Sequence, residues 1–284
     1  MTDSPLVTPE WLSEHLEDPR TVVADVRWYL QGRRGIDAYR GGHIRSAFFV
    51  DVDRDLSSPP GSRRPGRHPL PDMEAFADFL ARMGVGPDDI VVAYDDTGGS
   101  TAARLWWLLR YFGLDGGRVL DGGIQAWQAA GGALTTSGPD RRPAPRITLR
   151  PRREMVVDKV RVKEMALSGD GLLLDARAAE RYEGKVELID ARPGHIPGAI
   201  SAPFVENLVT SGGPFRPRKE LDQHYAALGV GAGRAVVTYC GSGVTACHDL
   251  LALALLGRDD ALLYEGSWSE WAGDRTLPAT LGKR

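Results

Sequence analysis

The chain has 284 residues, 42% apolar and 26% charged, the make-up of a soluble globular protein long enough for two ordinary domains. Its formal net charge of −3 gives no electrostatic footprint for a nucleic-acid partner, and no apolar run reaches the length of a membrane span. Two cysteines exclude a disulfide framework, no Cys/His group has zinc spacing, and the first residues lack the basic and apolar regions of a signal peptide, so a reducing, cytoplasmic setting is expected.

Residues 8–16 read as a capped helix with Pro9 in its first turn, and Thr21–Arg27 as a strand ending in Asp25-Val26-Arg27. Gly42-His43-Ile44 leads to a short strand over 47–50, and the Pro-, Gly- and Arg-rich stretch 57–71 reads as a loop. A helix (73–83), a strand (90–94), a Gly/Ser loop, a helix (101–112), a strand at 119–120 and a helix (124–130) complete the first half. Strands alternating with helices predict an α/β fold with a mostly parallel sheet flanked by helices. Residues 137–153 hold three prolines before a strand-like Ile147-Thr148-Leu149, and they read as an interdomain linker whose arginines face solvent.

The second half repeats the first. Leu172–Arg177 ends in Asp175-Ala176-Arg177, and Gly194-His195-Ile196 matches Gly42-His43-Ile44. Thr245, Gly257, Gly266 and Trp271 each stand 144 positions (101 to 245) after Thr101, Gly113, Gly122 and Trp127. Two homologous domains follow, residues 1–136 and 154–284.

The stretch with most chemistry is Val236–Ala246. A buried strand ends at Cys240, and Gly241, Ser242, Gly243, Val244 and Thr245 lead into an apolar helix closed by Gly257. The two glycines supply a backbone able to curl around an anion, and the helix N-terminus favours negative charge there. Cys240 is therefore the candidate nucleophile, while Cys247, inside the apolar helix, reads as filling space. The first half has Tyr94-Asp95 where the second has Tyr239-Cys240. Only the second domain is chemically competent.

Asp175-Ala176-Arg177, Arg181-Tyr182, Gly194–Ala199, the Cys240 loop and Gly266–Trp271 together resemble the tandem-domain rhodanese family of sulfurtransferases. The resemblance implies two rhodanese-like domains, the first inactive, and a cysteine that takes a sulfane sulfur from a donor and holds it as a persulfide. A thiol, a thioredoxin-like protein or cyanide then accepts it. It implies no metal and no organic cofactor, and it assigns Arg181 to the donor's anionic group, for which a guanidinium offers a forked pair of donors. Cys240–Thr245 is similar to the Cys-Gly-Ser-Gly-Val-Thr loop of members that use 3-mercaptopyruvate, whereas thiosulfate members place Arg-Lys after the cysteine. An uncharged loop rewards a dianion less, and Ser242 offers a hydroxyl to a carbonyl or carboxylate. The segment Lys185–Ala191 lacks the second arginine that mercaptopyruvate members carry, leaving Lys185 and Arg192 as the nearest cations.

Arg177 is expected to pair with Asp175, and the duplicated His43 and His195 to serve structure. The family also offers a first-domain histidine acting with Ser242 as a proton relay. Cysteine phosphatases share the strand–loop–helix device but need an arginine six residues after the cysteine, where this chain has Ala246. Two alternatives remain: a thiosulfate:cyanide sulfurtransferase, and a persulfide carrier without turnover of its own.

Overall fold

The computed structural model describes residues 4–59, 66–231 and 233–283. The chain forms two compact units.

The first unit comprises Met1–Ser58, Pro71–Arg152 and Leu208–Phe215. Its strands are β1 (Leu6–Val7), β2 (Thr21–Asp25), β3 (His43–Ile44), β4 (Phe48–Phe49), β5 (Ile90–Tyr94), β6 (Gly117–Leu120) and β7 (Leu134–Thr135). Five of them form a parallel sheet in the order β1-β6-β5-β2-β4, and β3 pairs antiparallel with β7. The helices are α1 (Pro9–His15), α2 (Gly35–Gly41), α3 (Met73–Arg82), α4 (Ala102–Tyr111) and α5 (Gly123–Ala129). α1 begins where expected because the Thr8 hydroxyl accepts the N–H of Trp11. α4 is buried on nearly every side, as its run of Leu and Trp requires.

The second unit comprises Pro59–Leu70, Arg153–Asn207 and Arg216–Arg284. It contains β8 (Val156–Val157), β9 (Leu172–Asp175), β10 (Ile200–Ser201), β11 (Val236–Tyr239) and β12 (Leu262–Tyr264). Their parallel order, β10-β9-β11-β12-β8, is the first sheet's order for the repeated strands. The helices are α6 (Lys159–Ser168), α7 (Ala179–Tyr182), α8 (Arg218–Ala227), α9 (Ala246–Leu255) and α10 (Ser267–Gly273). The central strands are β5 and β11, and Asp95 and Cys240 follow them directly. Each unit is thus an α/β sheet flanked by helices.

Sequential blocks of 1–136, 137–153 and 154–284 meet two exceptions, because each unit takes in a short segment from the other half of the chain. Residues 57–71 are irregular where described, but residues 66–70 belong to the second unit. Residues 147–149 form no strand. The backbone there lies along the first unit instead, with Ala144 N–H on Ala81 O, Arg150 N–H on Phe112 O and Arg152 N–H on Tyr111 O. Three of the linker's arginines have carboxylate partners in that unit: Arg141 with Asp89, Arg146 with Glu74 and Asp78, and Arg152 with Asp115. No helix among the described residues is long and apolar enough to cross a membrane.

Candidate active site

β11 is buried along its whole length between apolar layers, which fixes where the chain leaves the sheet. Cys240 stands at that exit and is 2% exposed. Its N–H donates to Ser267 Oγ at 3.2 Å, and its carbonyl accepts from Trp268 N at 2.9 Å. Ser267 Oγ in turn donates to Tyr264 O at 2.9 Å. Ser267 holds φ +52°, where its counterpart in the first unit is Gly123 at +58°. A side chain is kept in this strained conformation where it anchors the cysteine backbone. Sequence reasoning missed Ser267, although a serine standing opposite a glycine in the repeat was the available signal.

The loop curls back so that Gly243 N–H reaches Cys240 Sγ at 3.1 Å. The two glycines serve different ends. Gly243 has φ +81°, and a Cβ there would meet Glu265 O at 2.7 Å, so both conformation and space demand glycine. Gly241 has no such φ. A methyl group on it would lie 3.1 Å from Arg67 Nη2, 3.5 Å from Arg181 Nη1 and 3.7 Å from Asp190 Oδ2. Its missing side chain makes room for two guanidinium groups. Val244 is buried, and Thr245 stands at the N-cap of α9 without a side-chain capping bond.

The equivalent loop of the first unit shows what such a backbone holds. The buried Asp95 carboxylate accepts Thr97 N–H (2.9 Å) and Gly99 N–H (2.8 Å) on one oxygen, and Thr101 N–H (2.8 Å) and Ala102 N–H (2.9 Å) on the other. The loop is an anion cradle, already filled by the chain's own carboxylate.

Side chains from several segments gather beside the Cys240 loop within the second unit. Ser242 Oγ lies 2.7 Å from His68 Nδ1. Arg181, on the short helix α7, donates through Nη2 to Glu187 (2.9 and 3.0 Å) and to Asp190 Oδ2 (2.8 Å). Arg67 donates through Nη1 to the other Asp190 oxygen at 2.5 Å, and its backbone N–H donates to Ser269 Oγ at 3.0 Å. Burial pushes the Glu187 carboxyl up, but the N–H groups of Asp190 and Ile189 and the Arg181 guanidinium outweigh it, holding it below the usual carboxylate value.

The carboxylates come from an insertion. Tyr39 and His43 stack four residues apart in the first unit, whereas Tyr182 and His195 stack thirteen apart in the second. The extra residues carry Glu187 and Asp190, and at Ala38 the first unit has a buried methyl group where the second has Arg181. Lys185 and Arg192 are not at the loop: Lys185 pairs with Glu183, and Arg192 donates to the carbonyls of Trp271 and Asp274.

The histidine beside Ser242 is not one of the duplicated pair. His43 is fully buried, with one ring nitrogen on Tyr39 O and the other on Ser137 O, and the first-half histidine beside Ser242 is His68. It sits in the Pro-rich loop and was missed because nothing local marks it. His195 bonds Tyr182 O, as His43 bonds Tyr39 O, so both turns are structural. Arg177 donates to both Asp175 oxygens and to Gly194 O, the structural pair expected, and Arg27 repeats it with Asp25 and Gly42 O. Cys247 is fully buried with its thiol 3.4 Å from Gly243 O. Among the described residues, no group of three His, Cys, Asp or Glu side chains could hold a metal ion.

The chain is similar to known proteins along nearly its whole length. The Rhodanese-like domain family matches the chain twice, over residues 8–130 and 159–274. A Pseudomonas aeruginosa protein called a probable 3-mercaptopyruvate sulfurtransferase is 44% identical over 288 residues, covering 99% of this chain and all of the relative. A Mycobacterium tuberculosis protein called a putative thiosulfate sulfurtransferase, SseB, is 38% identical over 277 residues, covering 93% of this chain and 92% of the relative. The crystal structure of SseA from Escherichia coli, presented as a 3-mercaptopyruvate sulfotransferase with the rhodanese fold, superposes with a TM-score of 0.82 at 34% identity, covering 94% of this chain and 100% of SseA. With two matched domains and relatives aligned end to end, the chain belongs to the rhodanese-like family.

Proposed function

We propose that the protein is a sulfurtransferase that takes sulfur from 3-mercaptopyruvate onto Cys240 and passes it to a thiol, a thioredoxin-like protein or cyanide. One observation carries the choice of donor: Ser242, two residues after the nucleophile, is hydrogen-bonded to His68. The two candidate donors differ in what they leave behind. When a thiolate attacks the sulfur of 3-mercaptopyruvate, the C–S bond breaks and its electron pair stays on carbon as the enolate of pyruvate, which must take a proton. Sulfite leaving thiosulfate needs none. A hydroxyl coupled to an imidazole is a proton-delivering pair, and it stands where only the first of these reactions uses it.

In this scheme the Cys240 sulfur attacks the donor sulfur, Ser242 Oγ–H protonates the departing carbon, and His68 restores the serine proton. Cys240 is left as a persulfide whose outer sulfur sits in the loop. The Asp95 loop supports that last step, since the same backbone in the first unit holds a carboxylate through four N–H groups. The acceptor then attacks the outer sulfur and regenerates the Cys240 thiolate.

The test is kcat/KM for 3-mercaptopyruvate and for thiosulfate in wild type, Ser242→Ala and His68→Ala. General acid–base groups contribute about 10²- to 10⁴-fold, so both variants should lose about that much with 3-mercaptopyruvate and far less with thiosulfate. Equal losses with the two donors, or a wild type that prefers thiosulfate, would refute the assignment. A wild type that accepts persulfide but never turns over would instead make it a carrier.

A further inference from the structure

The insertion before Gly194 holds two carboxylates and no arginine at the donor site, yet two guanidinium groups converge there. Arg181 comes from α7 and Arg67 from the segment Pro59–Leu70. Asp190, whose side chain is 1% exposed, lies between them with one oxygen on each. Those ion pairs engage Nη1 of Arg67 and Nη2 of Arg181. The opposite terminal nitrogens, Nη2 of Arg67 and Nη1 of Arg181, are the ones found 3.1 and 3.5 Å from the methyl position of Gly241. Both arginines keep partial exposure, 28% and 20% of their side chains, while the carboxylates behind them are sealed. The arrangement is a pair of forked donors braced from behind and open toward the space beside the nucleophile.

Resting on the function assigned above, we propose that Arg67 is a donor-binding residue that closes a two-guanidinium clamp with Arg181 on the carboxylate of the 2-oxo thiol donor, and that Asp190 is its positioning residue. A carboxylate has two oxygens, and a clamp presenting one N–H edge to each orients the donor as well as attracting it. Asp190 also sets the charge. Arg67 and Arg181 are each offset by a carboxylate, Asp190 and Glu187, so the four side chains sum to zero formal charge. A formally neutral clamp binds a monoanion through directed hydrogen bonds and gives a dianion little extra reward. Choice between donors is then made by the inserted segment and Arg67 as much as by the residues directly after Cys240.

The clamp is tested by steady-state kinetics on Arg67→Met, Arg67→Lys and Asp190→Asn beside wild type, with melting curves to confirm that each is folded. Losing one charged fork should raise the KM for 3-mercaptopyruvate by about tenfold or more while kcat changes much less. Lysine, a point charge without the fork, should recover only part. Loading of Cys240 by inorganic polysulfide, which has no carboxylate, should stay within about twofold of wild type in Arg67→Met. Asp190→Asn leaves one uncompensated positive charge and should shift the ratio of specificity constants several-fold toward thiosulfate, less so at high salt. A folded Arg67→Met with wild-type KM overturns the clamp, as does an equal loss with polysulfide, which would mean that Arg67 holds the loop and not the donor. A wild type inert to 3-mercaptopyruvate overturns the function and the clamp together, whereas an active wild type with an indifferent Arg67→Met overturns the clamp alone.

Discussion

Asp95→Ala separates the two roles of the duplicated loop. The carboxylate is fully buried and accepts four backbone N–H groups at 2.8–2.9 Å. A hydrogen bond to a charged group contributes about 1.5–3 kcal/mol, so four taken naively would give about 6–12 kcal/mol. Two effects reduce this. The buried carboxylate carries a desolvation cost of several kcal/mol that its removal relieves, and water entering the vacated space satisfies part of the orphaned N–H set. A net loss of about 3–5 kcal/mol is expected, at the upper end for a single substitution. Asp95→Asn should be nearly as damaging, because whichever way the amide is turned its NH₂ group faces two of the N–H donors.

The readout is the melting of the first unit, followed calorimetrically because a two-unit chain need not unfold in one step. For a unit of this size the loss corresponds to a shift of about 10–15 °C. Turnover is measured at a temperature where the variant is still folded. There kcat/KM should remain near wild type, since no chemical step involves Asp95. A melting shift under about 2 °C would show that the carboxylate does not hold the loop. A loss of turnover as deep as that of Cys240→Ser, in folded protein, would show that the two units share chemistry.

Cys240→Ser should abolish sulfur transfer, and mass spectrometry of wild type treated with donor should find one added sulfur on Cys240; finding it on Cys247 would displace the assignment. Cys247, whose thiol lies 3.4 Å from Gly243 O, can be replaced by serine with a hydroxyl donor kept on the same side, so Cys247→Ser should retain most activity. Asp249, on α9, is fully buried, and burial pushes its carboxyl well above the usual value despite the hydrogen bond from Asn207. The folded state therefore keeps a proton that the unfolded chain releases above 3.8, and stability falls as pH rises past that value. Asp249→Asn removes the penalty: its urea midpoint should exceed wild type near pH 7, with the gap closing toward about pH 4, and a gap that widens on acidification would contradict the sign.

Local pattern was enough for the central strands of each sheet and the helices that follow them, because both report on burial, whereas the two-residue edge strands β1, β8 and β10 are too short to carry a pattern. Ile90–Tyr94 is a continuous apolar run and Val236–Tyr239 a run of β-branched and aromatic residues, and buried parallel strands produce such runs. The offset repeat located Cys240 and Asp95 at the same turn. What the sequence hid is chemistry assembled from distant segments. Arg67 bonds Asp190 across 123 positions, and His68 bonds Ser242 across 174. Their loop is Pro- and Gly-rich, without periodicity, so nothing local distinguishes a site-forming arginine from a solvated one. The linker arginines show the converse, with the Arg146 and Arg152 side chains paired to carboxylates of the first unit.

The uncharged Gly241-Ser242 pair therefore does not mean an uncharged site. Positive charge enters from the side, on Arg67 and Arg181, and is cancelled from behind by Asp190 and Glu187. Gly241 is small because those guanidinium groups occupy the space a side chain would take, with Arg67 Nη2 only 3.1 Å from its methyl position. An arginine at 241 would have to displace Arg67 and face Arg181, so a cation after the cysteine and a cation on the 66–70 segment compete for one place. Seen this way, the missing second arginine of the 185–191 segment and the glycine after Cys240 are two consequences of one arrangement. Asp190 stands in the segment where mercaptopyruvate members carry their second arginine, and Arg67, held by Asp190, supplies the guanidinium from elsewhere in the chain.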